Sequence, residues 1–240
     1  MPDSLRGARV LVLRPEGQEE ALADMLRARG ADPVWVPAVS ITPLDPAPID
    51  EALARAGSFA WAIFTSANGV RLVAARGPLA FPRIAAIGPG TARALRDAGV
   101  GVDHMPRTYT TEGLAGELPG PPCAIVAFRA AAADTRMDDS LRARGFELTR
   151  VNVYDTEPLN GDAIAAAVDL GIDAVVLTSA SIARAFASAT AVPDATRVCA
   201  IGPATAAACT ETGLRVDVTA DEHTTQGLID ALIVALTART

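Results

Sequence analysis

Two short turns in this chain carry the residue types best suited to holding an anion. Ile87-Gly88-Pro89-Gly90-Thr91 and Ile201-Gly202-Pro203-Ala204-Thr205 each stand where an apolar run gives way to a helical pattern. Glycine permits a sharp turn and close backbone approach, and proline presets the first helical φ. The N–H groups of such a helix start point outward along the positive end of the helix dipole and can receive a carboxylate or phosphate. A tight strand-to-helix turn with no ligand would use the same residues, and Thr91 or Thr205 could cap the helix or turn its hydroxyl outward. The paired occurrence favours two anion-holding turns in one molecule. A second pair, Thr65-Ser66-Ala67-Asn68 and Thr178-Ser179-Ala180-Ser181, also follows apolar runs. Its polar side chains are good N-caps, and they fall where open α/β sheets bind ligands, at the carboxyl ends of parallel strands. Capping and binding are compatible there. Thr110-Thr111 and Thr224-Thr225 open two further helices and read mainly as caps, with Thr225 also a binding candidate.

Other side chains offer charge or a proton. Arg14 and Arg129 end apolar runs, and either guanidinium could grip a carboxylate through two parallel hydrogen bonds. The alternative is a surface ion pair with Glu16 or Asp134. Tyr154, within VNVYDTEP, is one of two tyrosines in the chain. It could donate a proton or a hydrogen bond, or simply pack between extended segments. His104 and His223 read as solvent-facing loop residues at non-equivalent positions of the repeat set out next.

The elements that must position these residues recur. LRARG stands at 26–30 and again at 141–145. TPL at 42–44 answers EPL at 157–159, and TSANG at 65–69 answers TSASI at 178–182. AIGPGTARALRDAGV at 86–100 answers AIGPATAAACTETGL at 200–214, and TTEGLAGEL at 110–118 answers TTQGLIDAL at 224–232. The order is the same and the offset stays between 113 and 115 residues, so the chain is a tandem duplication with halves near 1–120 and 121–240. Short apolar strands at 9–14, 60–66, 83–88, 124–128, 173–179 and 197–202 alternate with helical patterns at 16–30, 49–57, 68–77, 89–99, 110–118 and 224–238. That alternation predicts an α/β protein with parallel sheets covered on both faces. The segments 37–45 and 151–160 break the rhythm at matching places and read as a pair of extended linkers. The expected division is one lobe from 1–37 with 158–240, a second from 45–150, and linkers at 38–44 and 151–157.

Composition excludes several chemistries. All 21 basic residues are arginine, so Schiff-base chemistry, a pyridoxal phosphate anchor and a Walker A lysine are absent. Two histidines and the scattered Cys123, Cys199 and Cys209 give little material for a metal site, a Ser-His-Asp triad or a disulfide framework. The net charge of −7 argues against nucleic acid and means an anionic ligand must be held by local features. No apolar run is long enough for a membrane span, and Arg14-Pro15-Glu16-Gly17 stands where a dinucleotide fingerprint would follow the first strand. A cytoplasmic, cofactor-free and metal-free monomer is expected, with a small-molecule substrate and neither nucleic acid nor membrane as partner.

The motifs VLVLRP, FTSANGV, AAIGPGTARAL, VYDT, LTSASI, CAIGPATA and TTQGL, in this order over nearly the whole chain, resemble the uroporphyrinogen-III synthase family. The resemblance implies two flavodoxin-like lobes joined by a two-stranded ladder, an active site between them, and no metal or organic cofactor. It implies conversion of hydroxymethylbilane, a carboxylate-rich linear tetrapyrrole, to uroporphyrinogen III with loss of water and inversion of ring D. Carried onto matching positions, its site residues are Thr65, Ser66, Gly88, Thr91, Ser179, Gly202 and Thr205, with Tyr154 as proton donor to the departing hydroxyl. Some members carry two threonines after the second Gly-Pro; here Ala204 precedes Thr205. A non-enzymatic alternative is a bilobed binding protein for a small polyanion.

Overall fold

The runs RVLV, WAIF, AVVL and RVCA are buried at nearly every residue, as strands covered on both faces must be. The computed structural model describes residues 5–237. Its strands are β1 (Arg9–Val12), β2 (Asp32–Trp35), β3 (Val39–Pro43), β4 (Trp61–Phe64), β5 (Ile84–Ala86), β6 (Ala124–Ala130), β7 (Glu147–Pro158), β8 (Ala174–Leu177), β9 (Arg197–Ala200) and β10 (Val218–Thr219). The helices are α1 (Glu20–Arg27), α2 (Ala47–Ala54), α3 (Ala67–Ala74), α4 (Pro89–Asp97), α5 (Thr111–Glu117), α6 (Arg136–Ala143), α7 (Gly161–Asp169), α8 (Ala180–Ala189), α9 (Pro203–Glu211) and α10 (Thr225–Thr237).

Two compact units result. One takes the chain up to Ser40 and from Glu157 onward, and the other takes Ile41–Thr156. In the first unit the sheet order is β10-β9-β8-β1-β2, with every neighbour parallel. Counted in chain order within the unit this is the 2-1-3-4-5 order of flavodoxin-like sheets. The second sheet has the order β3-β7-β6-β4-β5, and a lone parallel bridge from Ala85 to His104 extends it past β5. By the repeat offset, β6 and β7 correspond to β1 and β2, while β4 and β5 correspond to β8 and β9. The second unit therefore has the same strand plan entered from a different point. His104 is accordingly half-buried in a strand bridge, not in a solvent-facing loop.

Side chains alternate across each strand, so each sheet feeds two core layers. In the first unit Leu11, Val175 and Phe186 pack on one face, and Val10, Leu22 and Leu228 on the other. In the second unit Phe64 stacks on Phe128 at 4.9 Å between ring centres, while Trp61, Ile63 and Leu141 fill the opposite face.

The segment expected as a second linker, 151–160, is the later part of β7, one twelve-residue strand that begins at Glu147 and pairs with β6 as far as Tyr154. The N–H of Leu159 donates to Ala38, and that of Leu44 donates to Val153, so β3 runs antiparallel to β7. Residues 16–19 form a turn before α1, with Gly17 at a φ of +73°, in place of the expected first helical turn.

Cap chemistry follows the repeat. Ser66 Oγ accepts the Gly69 N–H at 3.0 Å to open α3, and Ser179 Oγ accepts the Ile182 N–H at 3.3 Å to open α8. Thr110 and Thr224 accept the N–H groups of Gly113 and Gly227, each at 3.0 Å. The cap of α10 is thus Thr224, not Thr225. In both copies the cap residue's own N–H donates, at 2.7 Å, to the carbonyl two residues back, Thr108 or Glu222. That carbonyl stands where a Cβ on Gly113 or Gly227 would be, which explains why both copies read Thr-Thr-x-Gly. Gly113→Ala is expected to cost at least about 1–3 kcal/mol, as overpacking does. Gly90→Ala meets open space in α4, where the other copy already has Ala204, and is expected to add about 0.4–1 kcal/mol. Thermal melts of the two variants should move in opposite directions.

Candidate functional site

Because neighbouring strands run the same way, β3 excepted, the carboxyl ends of the parallel strands and the helix starts that follow them share one edge of each sheet. In the second unit that edge gathers Thr65 and Ser66 after β4, Gly88 and Thr91 after β5, Tyr109 and Thr110, and Arg129 near the end of β6. In the first unit it gathers Arg14 after β1, Thr178 and Ser179 after β8, Gly202 and Thr205 after β9, and His223 with Thr224 and Thr225 after β10. The predicted site residues thus fall into two repeat-related sets, one per unit.

The two Gly-Pro turns present backbone. Helices α4 and α9 open on Gly88 and Gly202 with proline at the first helical position and no side-chain cap. No side chain takes their first-turn amides; in α9 the Thr205 N–H donates to the Gly202 carbonyl at 3.1 Å, and the other first-turn amides can meet an acceptor from outside. Thr91 and Thr205 are buried, at 5% and 3% exposure, and neither side chain caps its helix. Each turn is also walled by a ring. A Cβ on Gly88 would lie 3.2 Å from Tyr109 Cβ, and one on Gly202 would lie 3.0 Å from His223 Cγ. Tyr109 and His223 are equivalent in the repeat, preceding Thr-Thr-Glu-Gly and Thr-Thr-Gln-Gly at the same distance. Sequence reasoning compared the two histidines with each other and missed this pair, although the aligned repeat carried the signal.

Tyr154 belongs to the core of the second unit. It is 6% exposed, and its hydroxyl donates to Ser66 Oγ at 2.9 Å. Strict alternation along β7 would put Val151 and Val153 on one face and Tyr154 on the other. All three lie in one core cluster because the register with β6 shifts between Arg129 and Ala130, pairing Ala130 with Tyr154. Bulges re-aim side chains in this way beside functional sites. Ser66 Oγ accepts from both Tyr154 and the Gly69 amide, so both of its lone pairs are engaged and its O–H remains to donate. Burial raises the Tyr154 phenol above its ordinary value, and the bond to Ser66 works the other way.

The remaining candidates are more local. Thr65 Oγ1 lies 3.4 Å from the Phe128 carbonyl, and Asn68 Oδ1 accepts from Arg71 at 3.1 Å. Ser179 pairs with Ser181 at 3.0 Å, while Thr178 and Thr225 are half-buried. Arg14 is half-buried, and its carbonyl accepts the Trp35 indole N–H at 3.0 Å. Arg129 departs most from expectation. It is 2% exposed and pairs at 2.6 Å with Asp138, itself 1% exposed, so it is neither a surface ion pair nor open to a ligand carboxylate. Its neighbour Asp134 contributes a backbone carbonyl. Burial pushes the Cys199 thiol up to about 12, removing it as a thiolate at neutral pH. A cavity of about 330 Å³ lined by Ala187, Thr190, Thr212, Leu214 and Arg215 lies near the far ends of α8 and α9, away from the carboxyl edge. Among the described residues no three His, Cys, Asp or Glu side chains converge to hold a metal ion, and no helix is long and apolar enough to cross a membrane.

These features define a duplicated α/β protein of two flavodoxin-like units, each with an amide-rich, hydroxyl-lined carboxyl edge. The uroporphyrinogen-III synthase HemD family model matches residues 3–230, and the chain belongs to that family. It is accordingly a cyclising lyase of tetrapyrrole biosynthesis. It is 29% identical to the uroporphyrinogen-III synthase of Synechococcus elongatus, across 95% of each chain. It is 30% identical to the porphyrin biosynthesis protein HemD of Ruminiclostridium josui, spanning 97% of this chain and about half, 49%, of that longer one. A mutant uroporphyrinogen III synthase from Thermus thermophilus shares the fold with a TM-score of 0.65 at 19% identity, covering 97% of this chain and 100% of that one. The Helicobacter pylori uroporphyrinogen-III synthetase does so with a TM-score of 0.58 at 18% identity, at the same coverages of 97% and 100%.

Two outcomes follow from the site geometry. Asp138→Asn leaves two guanidinium groups beside a neutral partner, and an unfolding titration is expected to show a loss of about 3–5 kcal/mol. Because its pKa is raised in the folded state, Tyr154 contributes stability that is present below its ordinary value and lost as pH rises through the raised one. In a Tyr109→Phe background, tyrosinate absorbance is expected with a midpoint above about 10; one at or below that value would contradict the burial.

Proposed function

We propose that this chain closes hydroxymethylbilane to uroporphyrinogen III, releasing water and inverting ring D. The observation that supports this reading most directly is the repeat-related pair of uncapped Gly-Pro helix starts, one on each sheet's carboxyl edge, in a chain of net charge −7. A substrate rich in carboxylates needs anion sites that do not depend on a basic surface, and helix-start amides meet that need. Arg14, half-buried at the end of β1, adds a cation in the first unit. Thr65, Ser66, Asn68, Thr178, Ser179 and Thr225 line the same edges as hydroxyl and amide donors.

The chemistry asks little of any single side chain. As the terminal hydroxyl leaves, it needs a hydrogen-bond donor, and the Ser66 O–H, held from behind by the Tyr154 phenol, is suited to that. The resulting azafulvene closes readily by itself, and without guidance it gives the unrearranged isomer. The protein's contribution is to hold the chain ends so that the last ring attacks in the inverted sense, which is catalysis by positioning. Spread over many amide contacts, this activity survives the loss of any one side chain. We further propose that the protein works as a monomer in the cytoplasm on the free tetrapyrrole; its acidic charge supports the absence of nucleic acid as a partner.

A coupled assay with freshly generated hydroxymethylbilane, with the macrocycles separated by chromatography, tests the reading. Wild-type protein is expected to give mainly the type III product, and Tyr154→Phe to lower kcat about fivefold, the scale of one hydrogen bond near 1 kcal/mol. A product ratio equal to that of spontaneous closure would reject the function. An undiminished kcat in Tyr154→Phe would reject the role of the phenol.

A further inference from the structure

The buried charges of the second unit do more than balance one another. Asp138 Oδ1 accepts from Arg129 at 2.6 Å and its Oδ2 accepts from Arg150 at 2.8 Å. Both guanidinium groups then turn to one loop. Arg129 donates to the Asp134 carbonyl at 2.8 Å, and Arg150 donates to those of Ala130, Ala131 and Ala133 at 3.2, 3.1 and 2.9 Å. Four of the five carbonyls from Ala130 to Asp134 are thereby held by two arginines that share one carboxylate. Asn152 Oδ1 accepts from Arg150 Nε at 2.8 Å and orients it. The loop is also the partner of the phenol's own backbone, since the Ala131 N–H donates to the Tyr154 carbonyl at 2.8 Å, next to the register shift that aims Tyr154 at Ser66.

The duplicated copy supplies an internal comparison. At the repeat offset of 115, Arg129, Asp138, Arg150 and Tyr154 correspond to Arg14, Ala23, Trp35 and Val39. The copy that lacks the phenol also lacks the carboxylate and the second arginine. A clamp kept for stability alone has no reason to accompany the tyrosine; one that aims the tyrosine does.

We infer that Arg150, anchored by Asp138 and Arg129, is a positioning residue that fixes the loop after β6 and the register shift in β7, and so sets the direction in which Tyr154 holds Ser66. This rests on the synthase reading above. A planar fork is required, because a lysine ammonium retains the charge but cannot span three carbonyls and a carboxylate.

The test measures kcat, KM and the type III share for wild type, Arg150→Lys, Tyr154→Phe and the double variant, each confirmed folded at the assay temperature by circular dichroism. Arg150→Lys is expected to lower kcat about threefold to fivefold with KM within about twofold, as a small displacement of a positioned group does. In the double variant kcat should fall no further than in Tyr154→Phe alone, since both changes remove one function. A folded Arg150→Lys with wild-type kcat, or losses that multiply in the double variant, would overturn the inference. Should Arg150→Lys fail to fold, Asn152→Ala, an exposed change that frees Arg150 Nε, decides on the same criteria with an expected loss of about twofold. Absence of type III excess in wild type would instead reject the synthase reading.

Discussion

Parallel pairing is the constraint from which the rest of the molecule follows. A strand whose neighbour runs the same way cannot be reached by a hairpin, so the chain crosses back over the sheet, here by a helix, before the next strand begins. The helix that follows each parallel strand then starts on the edge where those strands end, and that edge collects amide dipoles, caps and turn residues whatever the ligand. Here the constraint acts twice, through β1 beside β8 and β6 beside β4. The proposed hold on a polyanion by a protein of net charge −7 rests on aligned backbone amides, not on a surplus of side-chain cations.

Within that common plan the two copies have diverged in what they bring to the edge. The unit built around β6 places a phenol behind its capping serine and commits its strand-end arginine to a buried carboxylate. The unit built around β1 has valine in place of the phenol and keeps its arginine half-buried beside Trp35. Buried ion pairs add little net stability compared with well-packed apolar residues. The placing of Asp138 between two arginines therefore points to geometry as what it provides. The aromatic residues over Gly88 and Gly202 show the same division, a tyrosine in one copy and a histidine in the other.

The sequence made legible whatever depended on local pattern. Apolar runs marked the strands, glycine and proline marked the turns, and near-constant offsets exposed the duplication and with it the pairing of site residues. What it concealed depended on partners that the local pattern does not name. Whether Arg129 meets water or a carboxylate is decided by Asp138 on the following helix and Arg150 on the following strand. The face that Tyr154 takes is decided by a one-residue slip against β6, which no alternation rule anticipates. The choice of Thr224 over Thr225 as cap turns on where the Glu222 carbonyl lies. Burial of Thr91 and Thr205 likewise reflects packing behind each turn, which a motif of five letters does not contain.

The permuted arrangement of the copies also sets an order of assembly during synthesis. The middle unit, Ile41–Thr156, is contiguous and can close its sheet as soon as that stretch has left the ribosome. The other unit holds β1 and β2 with the centre of their sheet missing, because the neighbour of Val10 is Ala174. Until that residue is made, the first two strands present an exposed, apolar edge with no partner. A nascent chain of this protein thus carries an unfinished N-terminal piece alongside a completed domain, and it is this piece that a holding chaperone would have reason to cover.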